Sequence, residues 1–223
     1  MKLLIFIFFL SLGYSQWSSF HLSGLDIETK ETKLLFRYAG LGSTNQPLTS
    51  INGLKRVSIG FSLNKGFSNS GLMPLINGQL KVSWNLALRG RMSNYSTKAG
   101  TVQLYGWGMK FVPGSKNMPS KWKLLFDLGN FNSFRQFKSN TIQFLAIRST
   151  TWKRFPINIG LGANIINISQ NHLSNTLIPN KLKLQSNFIN IGTTLNLLSY
   201  KIKPQLWLGM DYNLFSISFV ETF

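Results

Sequence analysis

The last ten residues, LFSISFVETF (214–223), decide how the rest of the chain is read. Phe215, Ile217, Phe219 and Phe223 fall on one side of an extended segment, and Ser216, Ser218 and Thr222 on the other. This is the period-two pattern of a strand with one apolar face, interrupted once at Glu221. Free termini ordinarily fray because they have little to pack against. An aromatic-faced terminal strand therefore needs a surface for that face to meet.

The same alternation recurs upstream. GQLKVSWNLALRGR from Gly78 sets Leu80, Val82, Trp84, Leu86 and Leu88 against Gln79, Lys81, Ser83, Asn85 and Arg89. RVSIGFSLN from Arg56, KWKLLFDLG from Lys121 and NIGTTLNLL from Asn190 behave alike. FPINIGLGANIINI from Phe155 keeps Asn158, Gly160, Gly162 and Asn164 on one alternate face. Two blocks are less regular. LYGWGMKFV from Leu104 changes phase after Gln103, as at a bulge, and TIQFLAIR from Thr141 is apolar on both sides. The connections are rich in Gly, Pro, Asn and Ser, the residues that supply turn geometry. The pattern predicts ten strands, at roughly 32–41, 54–65, 78–90, 99–112, 121–131, 139–149, 153–167, 183–198, 201–211 and 213–223, with twelve as the alternative. A weaker candidate strand covers 17–25, and no helix is expected in the mature chain.

The amino terminus, MKLLIFIFFLSLGYSQ, has a lysine, an apolar run from Leu3 to Leu10, and small residues at Gly13 and Ser15. This is the layout of a secretory signal peptide, and the run is shorter than the roughly 20 residues a spanning helix needs. The expected division is a signal peptide at 1–15, a periplasmic lead-in, lumenal plug or extra strand at 16–31, and a barrel at 32–223. Cysteine is absent, which removes disulfide frameworks and thiolate metal sites. Lys and Arg number 24 against 6 Asp and Glu, giving a formal charge of +18. Only 13% of residues are charged, which is low for a soluble basic protein and argues against a nucleic-acid partner.

Ten alternating strands fit a soluble β-sandwich with apolar faces inward, or a transmembrane barrel with apolar faces toward lipid. Three features favour the barrel. The polar faces carry Ser, Gly, Asn, Thr and Gln rather than the mixed charges of a soluble surface. Aromatic residues are abundant, at 18 Phe, 6 Trp and 6 Tyr, with Trp122 and Trp152 at strand starts where interfacial girdles lie. The carboxy-terminal strand, through Phe215, Ile217, Phe219 and Phe223, resembles the assembly signal of bacterial outer-membrane β-barrel proteins; Glu221 departs from it. That resemblance implies an all-β, antiparallel up-and-down barrel in the outer membrane of a Gram-negative cell, handed to the barrel-assembly machinery by its last strand. RYAGLG at 37–42 is also similar to a glycine-rich segment of fatty-acid-transporter-like barrels, but six residues carry no function over.

Counting back from Phe223 predicts extracellular connections near 41–53, 91–98, 131–138, 168–182 and 211–213. Periplasmic ones follow near 65–77, 113–120, 149–152 and 198–200. Strand starts are basic at both rims, where Lys can snorkel to lipid phosphates. The residues singled out for the lumen or rim are Lys81, Arg89, Lys121, Lys123, Lys181, Lys183, Lys201 and Lys203. The pairs 121/123, 181/183 and 201/203 are expected to face the lumen or its mouth, where they would set a positive potential. The expected partners are outer-membrane lipids, with lipopolysaccharide phosphates as rim ligands, and an envelope protein. The bland alternative is a Lys-rich proteome.

Catalytic chemistry finds little support. Histidine occurs at His21 and His172, the latter in a Ser- and Asn-rich loop. Asp127 and Glu221 are isolated, and Asp127 is expected to pair with Lys123 on its own face. No catalytic residue, metal cluster or cofactor motif is assigned. Three functional readings remain: a narrow pore with basic rims or a structural barrel, an accessory subunit of an envelope or secretion assembly, and a soluble secreted binding module.

Overall fold

The computed structural model describes residues 17–22, 26, 29–51, 53–67, 71–97, 100–134, 136–153, 155–170, 180–197, 200–210 and 212–223. The expected signal peptide and the His172 loop lie outside the described residues.

Among the described residues one helix, α1 (Lys30–Thr44), precedes eleven strand segments: β1 (Val57–Gly66), β2 (Met73–Lys81), β3 (Leu86–Thr97), β4 (Gly100–Phe111), β5 (Trp122–Ser133), β6 (Phe137–Trp152), β7 (Phe155–Gln170), β8 (Lys181–Thr193), β9 (Leu195–Leu197), β10 (Tyr200–Gly209) and β11 (Asn213–Thr222). Each pairs antiparallel with its neighbours, and β11 closes the ring by pairing with both β10 and β1. β8 and β9 share one register against β10, from Phe188↔Gly209 to Leu197↔Tyr200. The ladder lapses only opposite Lys203 and Pro204, and proline has no N–H to give. The barrel therefore has ten strands. Closure removes the open edges a sandwich would keep, and the apolar outer face excludes the soluble alternative.

The number ten is reached by a different route from the sequence reading. The segment expected as a strand at 32–41 belongs to α1, inside the barrel. The block expected as one strand at 78–90 is a hairpin whose turn, 82–85, is closed by Val82 N–H and Ser83 N–H donating to Leu86 O. Its register pairs Leu80 with Leu88 and Lys81 with Ala87. Paired residues share a face and here also share parity, so alternation runs through the turn unbroken. The turn replaces 65–77 as the fourth connection at the end where the chain finishes; Phe67 and Leu72 lie at the opposite end. Lys55 and Arg56, expected at the outer rim, enter β1 beside Phe223, whose carbonyl accepts from Arg56 N–H. Between β6 and β7, Lys153 has φ 55, the positive φ that a tight hairpin requires.

The end of the barrel at which β11 finishes is termed the terminal end, and the other the far end. Near the terminal end the outward positions are apolar: Leu88 and Met92 on β3, Trp107 and Phe111 on β4, Leu124 on β5, Phe144 on β6. Trp84, Trp122, Trp152, Phe155, Tyr200 and Phe223 are exposed around the rim there, an interfacial girdle. Arg148 stacks over Trp122 at 5.9 Å. The outward positions of β11 include Phe215, Ile217 and Phe219, and Phe223, the residue after it, continues the same side, as the alternation requires. Toward the far end the faces exchange character. Outward residues become Asn94, Gln103, Asn132, Lys138 and Asn167, while Val102, Leu104, Phe131, Phe137, Ile166 and Ile168 are buried inside. This exchange replaces the bulge expected after Gln103: β4 keeps one register against β3 and β5 throughout.

The closed, laterally bonded barrel should resist SDS until heated. Detergent-extracted protein is expected to migrate differently before and after boiling, and identical mobility would contradict closure.

Candidate functional site: the cationic lumen and its strap

The lumen is occupied by the chain's own N-terminal region. Residues 17–22 lie at the far end, where Ser18 N–H donates to Leu72 O at 3.0 Å and Leu22 N–H to Gln136 Oε1 at 3.0 Å. Phe20 packs on Phe131 and stacks on Tyr38, with centroids 4.4 and 5.5 Å away. α1 then descends into the barrel. Thr29 caps it by accepting from Thr32 N–H, and Glu31 sits in the first turn, where the helix dipole favours an anion. Leu34, Tyr38 and Leu41 recur at helical spacing and are buried. The lower half, AGLGST, is small because the wall is close: a Cβ on Gly40 would lie 2.5 Å from Ile166 and one on Gly42 2.4 Å from Met73. Below Thr44 the chain continues as an extended strap over residues 45–51 toward the terminal end, with Gly53 next among the described residues before β1.

An extended strap has no helix or ladder to satisfy its carbonyls, and inside a closed wall that deficit is costly. The inward cations meet it. Arg91 Nε donates to Ser43 O at 2.5 Å and Arg89 Nη2 to Gln46 O at 2.9 Å. Lys203 Nζ donates to Leu48 O at 2.7 Å, Lys110 Nζ to Thr49 O at 2.6 Å and Lys81 Nζ to Gly53 O at 3.1 Å. Gln79 adds a bond to Thr49 O at 3.2 Å, and Asn45 donates to Asn64 Oδ1 at 2.7 Å. Thr44 reaches Gln143 on the opposite wall at 2.9 Å.

Asp127 anchors this array. Its two oxygens take Arg89 Nη1 at 2.8 Å and Arg91 Nη1 at 2.9 Å, and all three side chains are buried. The expected Asp127–Lys123 pair does not form. Four residues of strand separate the two by about 13 Å, and Lys123 instead donates to Ser149 Oγ at 2.7 Å. Inward glycines make room for the knot: a Cβ on Gly108 would lie 2.1 Å from Asp127 Oδ1, and one on Gly129 2.3 Å from Ser43 Oγ.

Of the residues singled out from sequence, Lys81, Arg89, Lys123 and Lys203 face the lumen, and Lys121 and Lys201 stand on the same faces at the terminal mouth. Lys181 and Lys183 do not. They are exposed on the outer side of β8, while Leu182 and Leu184 turn inward against the apolar core. There the strand lies in the far region where polar residues face out. Sequence reasoning missed Arg91 and Lys110, although Arg91 is two residues from Arg89 and so shares its face. His21 is exposed. Tyr212, in the connection before β11, is buried, which pushes its phenol well above its ordinary value and keeps it neutral. Among the described residues no group of three His, Cys, Asp or Glu could hold a metal.

An apolar belt outside, a closed ring of an even number of antiparallel strands, and a polar, filled lumen define the class. The chain is an outer-membrane β-barrel protein. No family model matches it, and no curated protein does. Among solved structures it is similar to Ail, the attachment invasion locus protein of Yersinia pestis, at 7% identity and a TM-score of 0.27, over 76% of this chain and 97% of that one. The same protein in complex with the heparin analogue sucrose octasulfate is similar at a TM-score of 0.26, with the same identity and coverage. The fold assignment rests on the chain's own strand pairing.

Replacing Asp127 with Asn would leave two buried guanidiniums without their counter-charge, at a cost of about 3–5 kcal/mol. The temperature at which the SDS-resistant form is lost should fall markedly. Lys123→Gln, which removes a hydrogen bond to Ser149 at the mouth and leaves the buried ion pairs intact, should leave that temperature nearly unchanged.

Proposed function

We propose that the protein is a plugged, structural barrel of the outer membrane, acting as an anchor or accessory subunit of an envelope assembly rather than as an open pore. The observation that supports this reading is the bonding of five lumenal cations to strap carbonyls between Ser43 and Gly53. A conducting pore would present those cations to water and passing anions. Here each gives a hydrogen bond to the strap and so fixes it across the lumen, and nearly every residue from Leu34 to Thr49 is buried.

The partner side of the proposal rests on the far end, which rises above the lipid belt. Its polar exterior is interrupted by Phe67, just after β1, and Met210, between β10 and β11, which are 66% and 98% exposed. Large apolar side chains in neighbouring loops beyond the membrane are suited to a protein contact. In this proposal the terminal end faces the periplasm, where the assembly machinery would meet the last strand, and the far end faces outward.

Purified protein in planar bilayers is expected to show no steady conductance. A steady, anion-selective current that loses its selectivity in Lys110→Gln and Lys203→Gln variants would favour the pore instead.

A further inference from the structure

We propose that the terminal mouth contains a binding site for a single tetrahedral oxyanion, a phosphate or phosphate monoester, held by Lys81, Lys110 and Lys123. A cavity of about 140 Å³ opens there, lined by these three lysines together with Ser50, Gln79 and Asn85. The lysines come from β2, β4 and β5, so three separate strands each contribute a lysine to the lining of one space. Lys123, Lys203 and Lys81 all lie close enough to Lys110 to repel it.

Among the described residues the lumen holds one carboxylate, Asp127, and both of its oxygens are taken by the two arginines. Among the described residues, none of the three lysines lining the cavity has a carboxylate partner in an ion pair. Nor are the ammonium donors exhausted. Each ammonium carries three N–H groups, whereas Lys110 gives one bond to Thr49 O, Lys81 one to Gly53 O and Lys123 one to Ser149 Oγ. Neutral hydroxyl and amide groups of Ser50, Gln79 and Asn85 add donors for an oxyanion with several acceptor oxygens, and the rest of the lining, including Ile51, Leu86 and Val112, is largely apolar.

Size narrows the ligand. A cavity of about 150 Å³ admits a benzene ring, so this one takes a phosphate group but not the sugar or acyl portion attached to it. A larger ligand would have to leave through the open mouth. Trp84, in the turn beside the cavity, also lines it and is 39% exposed at the edge of the lipid belt. A phospholipid headgroup and a free phosphate can thus present the same chemistry to the same lysines.

The test is calorimetric titration of the full barrel, in a detergent without phosphate and at low salt, first with inorganic phosphate and then with a short-chain phosphatidic acid. Saturable binding of either is expected. Binding of both identifies a site for the free anion, and binding of the lipid alone identifies a headgroup site. Lys123→Gln should weaken binding about tenfold or more while retaining the heat-dependent SDS shift, and the outward Lys181→Gln/Lys183→Gln variant should bind as the parent does. No binding of either probe, or equal binding by Lys123→Gln, or equal weakening by the outward pair, would overturn the proposal. The readout is independent of conductance, so its failure and that of the plugged-barrel reading are separable.

Discussion

The carboxylate of Asp127 sets the condition on which the interior depends. Two guanidiniums cannot be buried side by side without a counter-charge, and Asp127 divides its two oxygens between them. Once held, Arg91 and Arg89 present their remaining N–H groups to Ser43 O and Gln46 O, where the helix gives way to the strap. Remove the carboxylate and the arginines lose their reason to be inside. Remove the arginines and the carbonyls at the end of the helix lose donors that water cannot easily replace. Gly108 and Gly129 follow from the same knot, since any side chain there would occupy the space of Asp127 or Ser43. Their place is fixed by close approach, not by backbone conformation.

A second constraint acts along the barrel rather than across it. Near the terminal end the wall separates lipid from a polar lumen, and near the far end it separates water from an apolar core. A single strand can serve both only by exchanging the character of its faces partway, with no slip in register. β4 does so between Leu104 and Gly106 on the inside and between Gln103 and Tyr105 on the outside. β8 does so between Leu184 and Asn190 inside and between Asn187 and Ile189 outside. The far-end core is filled by Phe20, Phe36 and Tyr38 from the N-terminal region, so the upper barrel is stabilised by the segment it encloses.

Much of this was legible in the sequence. The terminal strand, the outward set of Phe215, Ile217 and Phe219, and the lumenal Asn158–Gly160–Gly162–Asn164 row all follow from alternation. The rest was hidden for identifiable reasons. α1 contains Leu34, Phe36 and Tyr38 at alternate positions, which mimics a strand, because a helix packed on all sides has no polar face to reveal its 3.6-residue period. The 82–85 turn was masked by a register that preserves parity. Lys181 and Lys183 were placed on the wrong side because the rule that polar residues face the lumen holds only below the exchange of faces. Asp127 was given the wrong partner because sharing a face says nothing of distance along a strand; its true partners come from β3, two strands away, across a register that sequence does not display.

The position of the plug also bears on how such a barrel can form. α1 packs against β4, β5, β6 and β7, the middle of the sheet. The seam is on the other side, where β11, the last strand made, meets β1. A sheet of this twist is already concave before it closes. The helix can therefore settle on the inner face of the open sheet, with Gly40 against Ile166, and its strap can collect donors from β2, β3, β4 and β10. The pairing of β11 with β1 then encloses both. The reverse order would thread a 15-residue helix through a finished ring whose lumen it fills. The apolar terminal strand and the cation-clamped strap are thus parts of one requirement: the ring must close last, over contents already bonded to its wall.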